Sequence, residues 1–164
     1  MQPGFSVARH GCIGKETVMD GLMVRQFEAG RRFVGRLPHG RDILAAIESF
    51  CRKQSISCGV FSMIGAVSSA TIGAYDQGQQ VYVTVKKDAP FEILHCGGNI
   101  STRDGEPFVH AHIVLADMDG NVTGGHLFSD TILFAGEIDI QELLGPPLER
   151  VHDENTGLKL WDGL

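Results

Sequence analysis

Apolar residues follow two spacings along the chain, and each spacing predicts one kind of element. After Asp42 they recur at i, i+4, i+7 and i+8, the stripe of a helix packed on a sheet: Ile43, Leu44, Ile47, Phe50 and Cys51. Asp42 stands before this stripe as a candidate helix N-cap. The pattern therefore predicts one main helix over about residues 41–54.

Short apolar runs in the rest of the chain predict strands. They cover residues 22–27, 32–37, 56–64, 70–75, 80–85, 91–100, 107–116, 122–128 and 131–140. Glu28-Ala-Gly30 is interpreted as a turn between the first two, and Gly65 as a bend or bulge. Strands this short and evenly spaced favour an antiparallel sheet that closes on itself or packs as two layers.

The chain of 164 residues is long enough for one domain with its own core. Residues 1–18 show no periodicity and are expected to be a loosely ordered lead-in, with a single domain over residues 19–164. Pro146-Pro147 begins a polar tail, in which three apolar residues are able to dock back on the body: Leu158, Leu160 and Trp161.

Charge and composition narrow the class of protein. The net charge is −6, and the basic pairs Arg31-Arg32 and Lys86-Lys87 resemble ordinary surface charge, which argues against an autonomous DNA-binding protein. No apolar run reaches membrane-spanning length, and the N-terminus lacks a signal-peptide core, so a cytoplasmic protein is expected. The cysteines have no metal-type spacing and are expected to be free thiols: Cys12, Cys51, Cys58 and Cys96.

The stretch FVHAHIVLADMDGNVTGGHLF carries three histidines on two predicted strands joined by a tight turn. His110 and His112 share one face of their strand, because side chains alternate. If residues 118–120 form a three-residue loop with Gly120 in the left-handed conformation, His112 lies opposite His126 and His110 lies on the diagonal. A two-residue loop would instead turn His126 to the other face.

Three imidazoles converging on one point suit a divalent transition metal, zinc above all, with an open fourth position for water or substrate. A His-x-His pair alone is a weak signal, since half-buried strand histidines bonded to backbone or water give the same pattern. Gly124 and Gly125 leave room beside His126 for a backbone or a ligand.

Several segments, in order, resemble the plants-and-prokaryotes conserved (PPC) domain family: GRLPHGRDILAAIESFCRKQ, SMIGAVSSATIGAYD, FEILHCGGNIS, DGEPFVHAHIVLADMDGNVTGGHLF and TGLKLW. The resemblance covers about residues 22–161. It implies an α+β fold: a mainly antiparallel, strongly curved sheet, with the helix and a smaller C-terminal segment packed on it. It also implies a homotrimer and zinc bound by His110, His112 and His126. A similar fold and metal site occur in acetolactate decarboxylase, an enzyme.

Prokaryotic members of this family are often described as proposed DNA-binding proteins, and plant members carry AT-hook segments. This chain has no Arg-Gly-Arg-Pro hook or basic arm to enter a minor groove. Three functions therefore remain open. They are an open zinc site that binds or transforms a small molecule, a DNA-associated regulator, and a structural trimer with a folding metal.

Catalysis would also need a proton-handling group. The candidates are Glu92 and Glu137 as acids and Arg103 as a holder of an anionic substrate, with further acids at Asp104 and Glu106. Charged residues of this kind are more often solvated turn or edge charges. His95 is either an extra ligand or a hydrogen-bonded strand histidine, and Cys96 is expected on the opposite face from it.

Overall fold

A computed structural model describes residues 16–19 and 22–162 of the chain. The described elements, in chain order, are β1 (Glu16–Met19), β2 (Leu22–Arg25), β3 (Glu28–Leu37), α1 (Ile43–Gln54), β4 (Gly59–Asp76), β5 (Val81–Lys87), β6 (Phe91–Arg103), β7 (Glu106–Ala116), β8 (Val122–Leu127), β9 (Ile132–Leu144), β10 (Arg150–His152) and β11 (Lys159–Trp161). The pairings between these strands are all antiparallel. The predicted α+β class is confirmed.

The sheet is built on β4, which pairs with four other strands. Its first half, residues 59–67, lies between β6 and β9, and its second half pairs with β5 and, at Ile72 and Gly73, with β8. Because β6, β7 and β8 are also paired in succession, the sheet curves round until β8 returns to β4. The sheet therefore closes on itself. The strands predicted at 56–64 and 70–75 are one 18-residue strand.

Helix α1 forms as its sequence predicts. The Asp42 carboxylate accepts a hydrogen bond from the backbone N–H of Ala45 at 2.9 Å, and Ser55, with φ of 55°, ends the helix. Its apolar stripe faces the core, since Ile43, Ile47 and Cys51 are buried. Helix α1 packs on β7, the strand that carries two of the three histidines.

The predicted turn at Glu28-Ala-Gly30 is wrong. Strand β3 runs through it, and the partner of β3 is β9 rather than β2, which pairs with β1. Gly30 and Arg31 lie opposite the single residue Glu142, so the glycine marks a β-bulge. The bulge turns the Arg31 N–H and guanidinium onto the Glu142 carboxylate, at 3.0 and 2.7 Å.

The C-terminal tail docks on the body, as predicted. Leu148 is buried and its carbonyl accepts a hydrogen bond from the N–H of Thr102 at 2.9 Å. Beyond it, β10 and β11 form a hairpin. At the other end, residues 1–15 of the predicted lead-in lie outside the described residues, and Glu16–Met19 form a strand. The single-domain boundary stays a prediction.

Cys51, Cys58 and Cys96 are free and buried, and burial raises the pKa of Cys51 and Cys96 to about 12. Thiols that stay protonated at neutral pH are inert packing groups. Cys12 lies outside the described residues. No helix among the described residues is long and apolar enough to cross a membrane.

Candidate metal centre

The β7–β8 hairpin has the turn on which the three-histidine prediction depends. The backbone N–H of Asp117 donates to the carbonyl oxygen of Asn121, and that of Gly120 donates to the carbonyl of Asp117, both at 3.0 Å. Gly120 has φ of +80°, the left-handed conformation of a three-residue loop. The resulting register places His112 directly opposite His126, as predicted.

The three imidazoles converge on one side of this hairpin. Ring centroids lie 5.4 Å apart for His110 and His112, 4.9 Å for His110 and His126, and 5.3 Å for His112 and His126. One nitrogen of each ring lies within 4.8 Å of those of the other two, and no fourth His, Cys, Asp or Glu among the described residues joins them. This is a three-nitrogen donor set with an open side.

The donor set fits a transition metal chemically. Burial, with the nearby charge of Arg150, lowers the pKa of His110 to about 4. Burial, with the neighbouring histidines, likewise lowers the pKa of His126 to about 4. Both rings are therefore neutral at pH 7, the form that binds metal. Tetrahedral zinc with Zn–N bonds of 2.0–2.1 Å holds its nitrogens about 3.4 Å apart, so the three rings, whose nitrogens lie within 4.8 Å of one another, would rotate inward to hold an ion.

Arg150 is a site residue that sequence reasoning missed. It is 8% exposed, its Nε donates to Ser101 Oγ at 2.8 Å, and one terminal nitrogen donates to Asn99 Oδ1 at 2.8 Å. The same nitrogen lies 3.3 Å from His110 Nδ1. Since a guanidinium only donates, His110 Nδ1 is the acceptor in this contact. In the sequence Arg150 stands in a polar tail, and nothing local distinguishes it from a surface arginine.

A cavity of about 550 Å³ opens beside the histidines, with His110 and His126 in its wall. Most of the wall is aromatic or aliphatic: Tyr75, Tyr82, Phe108, Phe128, Leu158 and Leu160. The rings of Tyr82 and Phe128 each lie 4.8 Å from that of His126, which accounts for its burial. Ligand pockets in proteins span about 300–1,000 Å³, so the cavity has room for a small molecule.

The predicted catalytic candidates divide between the cavity and other surfaces. Arg103 lines the cavity. Glu92 and Glu137 are exposed and do not line it, and Glu137 lies beside His95 in a shallow pocket lined partly by β3 and β4. Asp104 and Glu106 are exposed at the β6–β7 turn. The acid that does line the cavity is Glu48 of α1, which the sequence reading missed.

His95 and the glycines next to His126 resolve two further expectations. His95 is exposed and Cys96 is fully buried, so the two face opposite ways, and His95 does not join the three histidines. The space that the glycines leave is taken by backbone. A Cβ at Gly125 would lie 2.6 Å from the carbonyl oxygen of Gly73.

The closed antiparallel sheet, the one helix of the described residues and the three-histidine cluster define a class of α+β protein with a candidate metal centre. The chain belongs to the Plants and Prokaryotes Conserved (PCC) domain family, which matches residues 24–144. The resemblance seen in the sequence is thereby confirmed.

Solved structures support this assignment. The metal-containing protein AF0104 from Archaeoglobus fulgidus is similar with a TM-score of 0.82 and 45% identity, covering 85% of this chain and 99% of that one. A plant- and prokaryote-conserved protein from Pyrococcus horikoshii has a TM-score of 0.81 and 35% identity, covering 90% and 99%. A proposed DNA-binding protein from Ralstonia eutropha has a TM-score of 0.70 and 29% identity, covering 80% and 90%.

A longer relative contains a matching segment. A Synechococcus protein named bifunctional protein GlmU is 32% identical over 124 residues, 74% of this chain. The chain spans only 19% of the length of that protein. The match thus concerns one part of the larger protein.

Proposed function

We propose that the protein binds a divalent metal, zinc in the first place, through His110, His112 and His126, and that this site binds or transforms a small molecule. The observation that carries the proposal is the convergence of three imidazoles beside a cavity of about 550 Å³. Its support from relatives is the similar Archaeoglobus protein, which is described as metal-containing.

The chain's own residues have distinct parts in such a site. The three imidazole nitrogens would hold the ion, and a bound ion with an open position supplies Lewis-acid chemistry. Tyr82 and Phe128 pack against His126 and keep water from that ring. Arg150 packs beside the ring of His110, 3.3 Å from Nδ1, and adds positive charge to the cavity wall. The cavity beside them gives a small molecule a place to bind.

Metal content tests the proposal directly. Protein purified without a histidine tag is dialysed against zinc and then against buffer, and the bound metal is measured by elemental analysis. We expect about one ion per chain in the native protein and very little in His112→Ala, because two nitrogens hold zinc far more weakly than three.

His95→Ala is the matched control, since His95 is also an exposed strand histidine but lies outside the cluster. It should bind as much metal as the native protein. Equal and negligible metal in all three proteins would end the proposal. Adding a chelator distinguishes an open site from a metal that the protein needs for folding. If the metal is needed for folding, the chelator lowers the midpoint temperature of thermal unfolding steeply.

We also propose a homotrimer. Its support is the apolar surface of β5, where Val81, Val83 and Val85 are about half exposed, at 48, 57 and 53%. Exposed strand valines in a row are unusual on a monomer. DNA binding, by contrast, gains no support from the charges, since Arg31 and Arg32 are ion-paired with Glu142 and Asp139.

A further inference from the structure

The cavity beside the three histidines has a charge opposite to that of the whole protein. The chain carries a net charge of −6, yet the cavity wall has three cationic side chains, Arg103, Arg150 and Lys159, and one carboxylate, Glu48. That carboxylate already accepts a hydrogen bond from the N–H of Val109 at 3.2 Å. A concave site lined by one sign of charge concentrates ligands of the other sign.

Arg103 is the cation with donors to spare. Its guanidinium carbon lies 4.1 Å from the centroid of the Phe108 ring, and that of Arg150 lies 5.5 Å from the same ring. Within residues 22–162, Arg103 forms no ion pair with a carboxylate. Stacking on Phe108 holds the planar fork in place, and a fork of this kind matches the two oxygens of a carboxylate.

The other side chains of the cavity wall indicate that the rest of the ligand is apolar. The aromatic side chains of Tyr75, Tyr82 and Phe128 and the aliphatic ones of Leu158 and Leu160 enclose an apolar space next to Arg103. This part of the wall has few groups to hydrogen-bond the hydroxyls of a sugar, whereas it can bury an apolar body.

We propose that this cavity binds a small organic carboxylate with an aromatic or branched apolar body. The carboxylate pairs with Arg103, the aromatic wall covers the body, and the fixed charge of Arg150 adds to the attraction. The inference rests on the proposed metal site in one respect: a second polar group of the ligand would take the open metal position. A bound divalent cation would add to the positive charge and favour an anion further.

Phenylacetate and phenylacetamide form the test pair, because they have nearly the same shape and differ in charge. Each is titrated into the full chain, zinc-loaded and zinc-stripped, and binding is followed by amide chemical shifts and calorimetry. We expect phenylacetate to bind at least about tenfold more tightly than the amide, since a charge-assisted hydrogen bond is worth about tenfold or more in affinity.

Arg103→Gln should weaken phenylacetate binding by about tenfold or more, and Arg103→Lys should restore part of it. Arg36→Gln is the matched control, an exposed strand arginine outside this cavity, and should leave binding unchanged. Arg103 is exposed, so folding should survive its replacement, which circular dichroism checks.

The outcomes separate this inference from the metal site. Equal binding of the acid and the amide, no binding of either, or an unchanged affinity in Arg103→Gln, would overturn the inference. If zinc removal abolishes binding while Arg103→Gln does not weaken it, the carboxylate is a metal ligand, and only the metal site stands. If the protein holds no metal but binding still depends on Arg103, the inference stands and the metal proposal fails.

Discussion

His110 and His126 are held neutral by burial, and this has a consequence for stability. Their pKa in the folded protein is about 4, below the ordinary value of 6.5. Below pH 6.5 the unfolded chain takes up protons that the folded chain refuses. The free energy of unfolding of metal-free protein should therefore fall as the pH drops from about 6.5 to about 4, and this loss should level off below that range.

Urea midpoints at a series of pH values, with a chelator present, measure this effect. In the double variant His110→Gln/His126→Gln, the urea midpoint should no longer fall between pH 6.5 and 4 because of these two side chains. Hydrogen bonds from Arg31 lower the pKa of Glu142 from 4.5 to about 2, so its stabilising contribution is lost as the pH falls from about 4.5 to about 2. The native protein and the double variant share this loss, so it does not change the difference between them. The same dependence of the urea midpoint on pH in the native and variant proteins would contradict the lowered pKa values of His110 and His126.

The individual site residues differ in how far the sequence reveals them. His110, His112 and His126 were predicted because their geometry is local: strand alternation and one turn fix it. Arg150 and Glu48 reach the same cavity from the C-terminal tail and the helix, through contacts that no sequence spacing encodes. Their side chains look like ordinary surface charges until the tertiary structure buries or directs them.

Strands β6 and β7 approach closely at Gly98, which makes this pair of elements sensitive to one methyl group. A Cβ at Gly98 would overlap the backbone carbonyl oxygen of His110. We expect Gly98→Ala to lower the free energy of unfolding by about 3 kcal/mol, because backbone cannot move aside without separating the strands. Metal binding should weaken as well, since His110 moves with its carbonyl.

Gly35→Ala is the matched control within another strand, since a Cβ there meets nothing within 4 Å. It should be neutral or stabilising by about 0.5 kcal/mol. Urea denaturation of both variants compares them. A loss of stability at Gly35 as large as at Gly98 would show that the close approach to His110 is not the cause.

The predicted element boundaries agree with the structure where residues close together in the sequence determine them. The N-cap at Asp42 and the left-handed Gly120 were both predicted, because each needs only its near neighbours. The segment Glu28-Ala-Gly30 has turn composition, but β9 recruits it into a strand and leaves a bulge. Strand β4 looked like two strands because a sequence cannot show that different partners hold its two halves.

Assembly is a property of the whole molecule, and β5 makes it testable. Strand β5 pairs only with β4 among the described strands, so its other edge and its valines are open to a second copy. Light scattering of the native protein should give three times the mass of one chain. Val83→Lys should lower the measured mass to that of one chain, because a lysine buried between two copies without a partner is costly.

Val122→Lys is the control for that experiment, since Val122 is also an exposed strand valine, at 64%, but starts β8 at the tip of the hairpin. It should leave the mass unchanged. A native protein that has the mass of one chain at every concentration would rule out the homotrimer.

The pairing of β3 with β9 joins distant parts of the chain, with Arg31 and Glu142 separated by 111 positions. A ribosome adds about 5–20 residues per second, so β3 waits roughly 5–20 seconds for its partner to be made. Throughout that interval the strand has an unsatisfied edge, and the sheet cannot be completed in the order of synthesis. The newly made chain is therefore most open to chaperones, or to pairing with another chain, before β9, Ile132–Leu144, emerges.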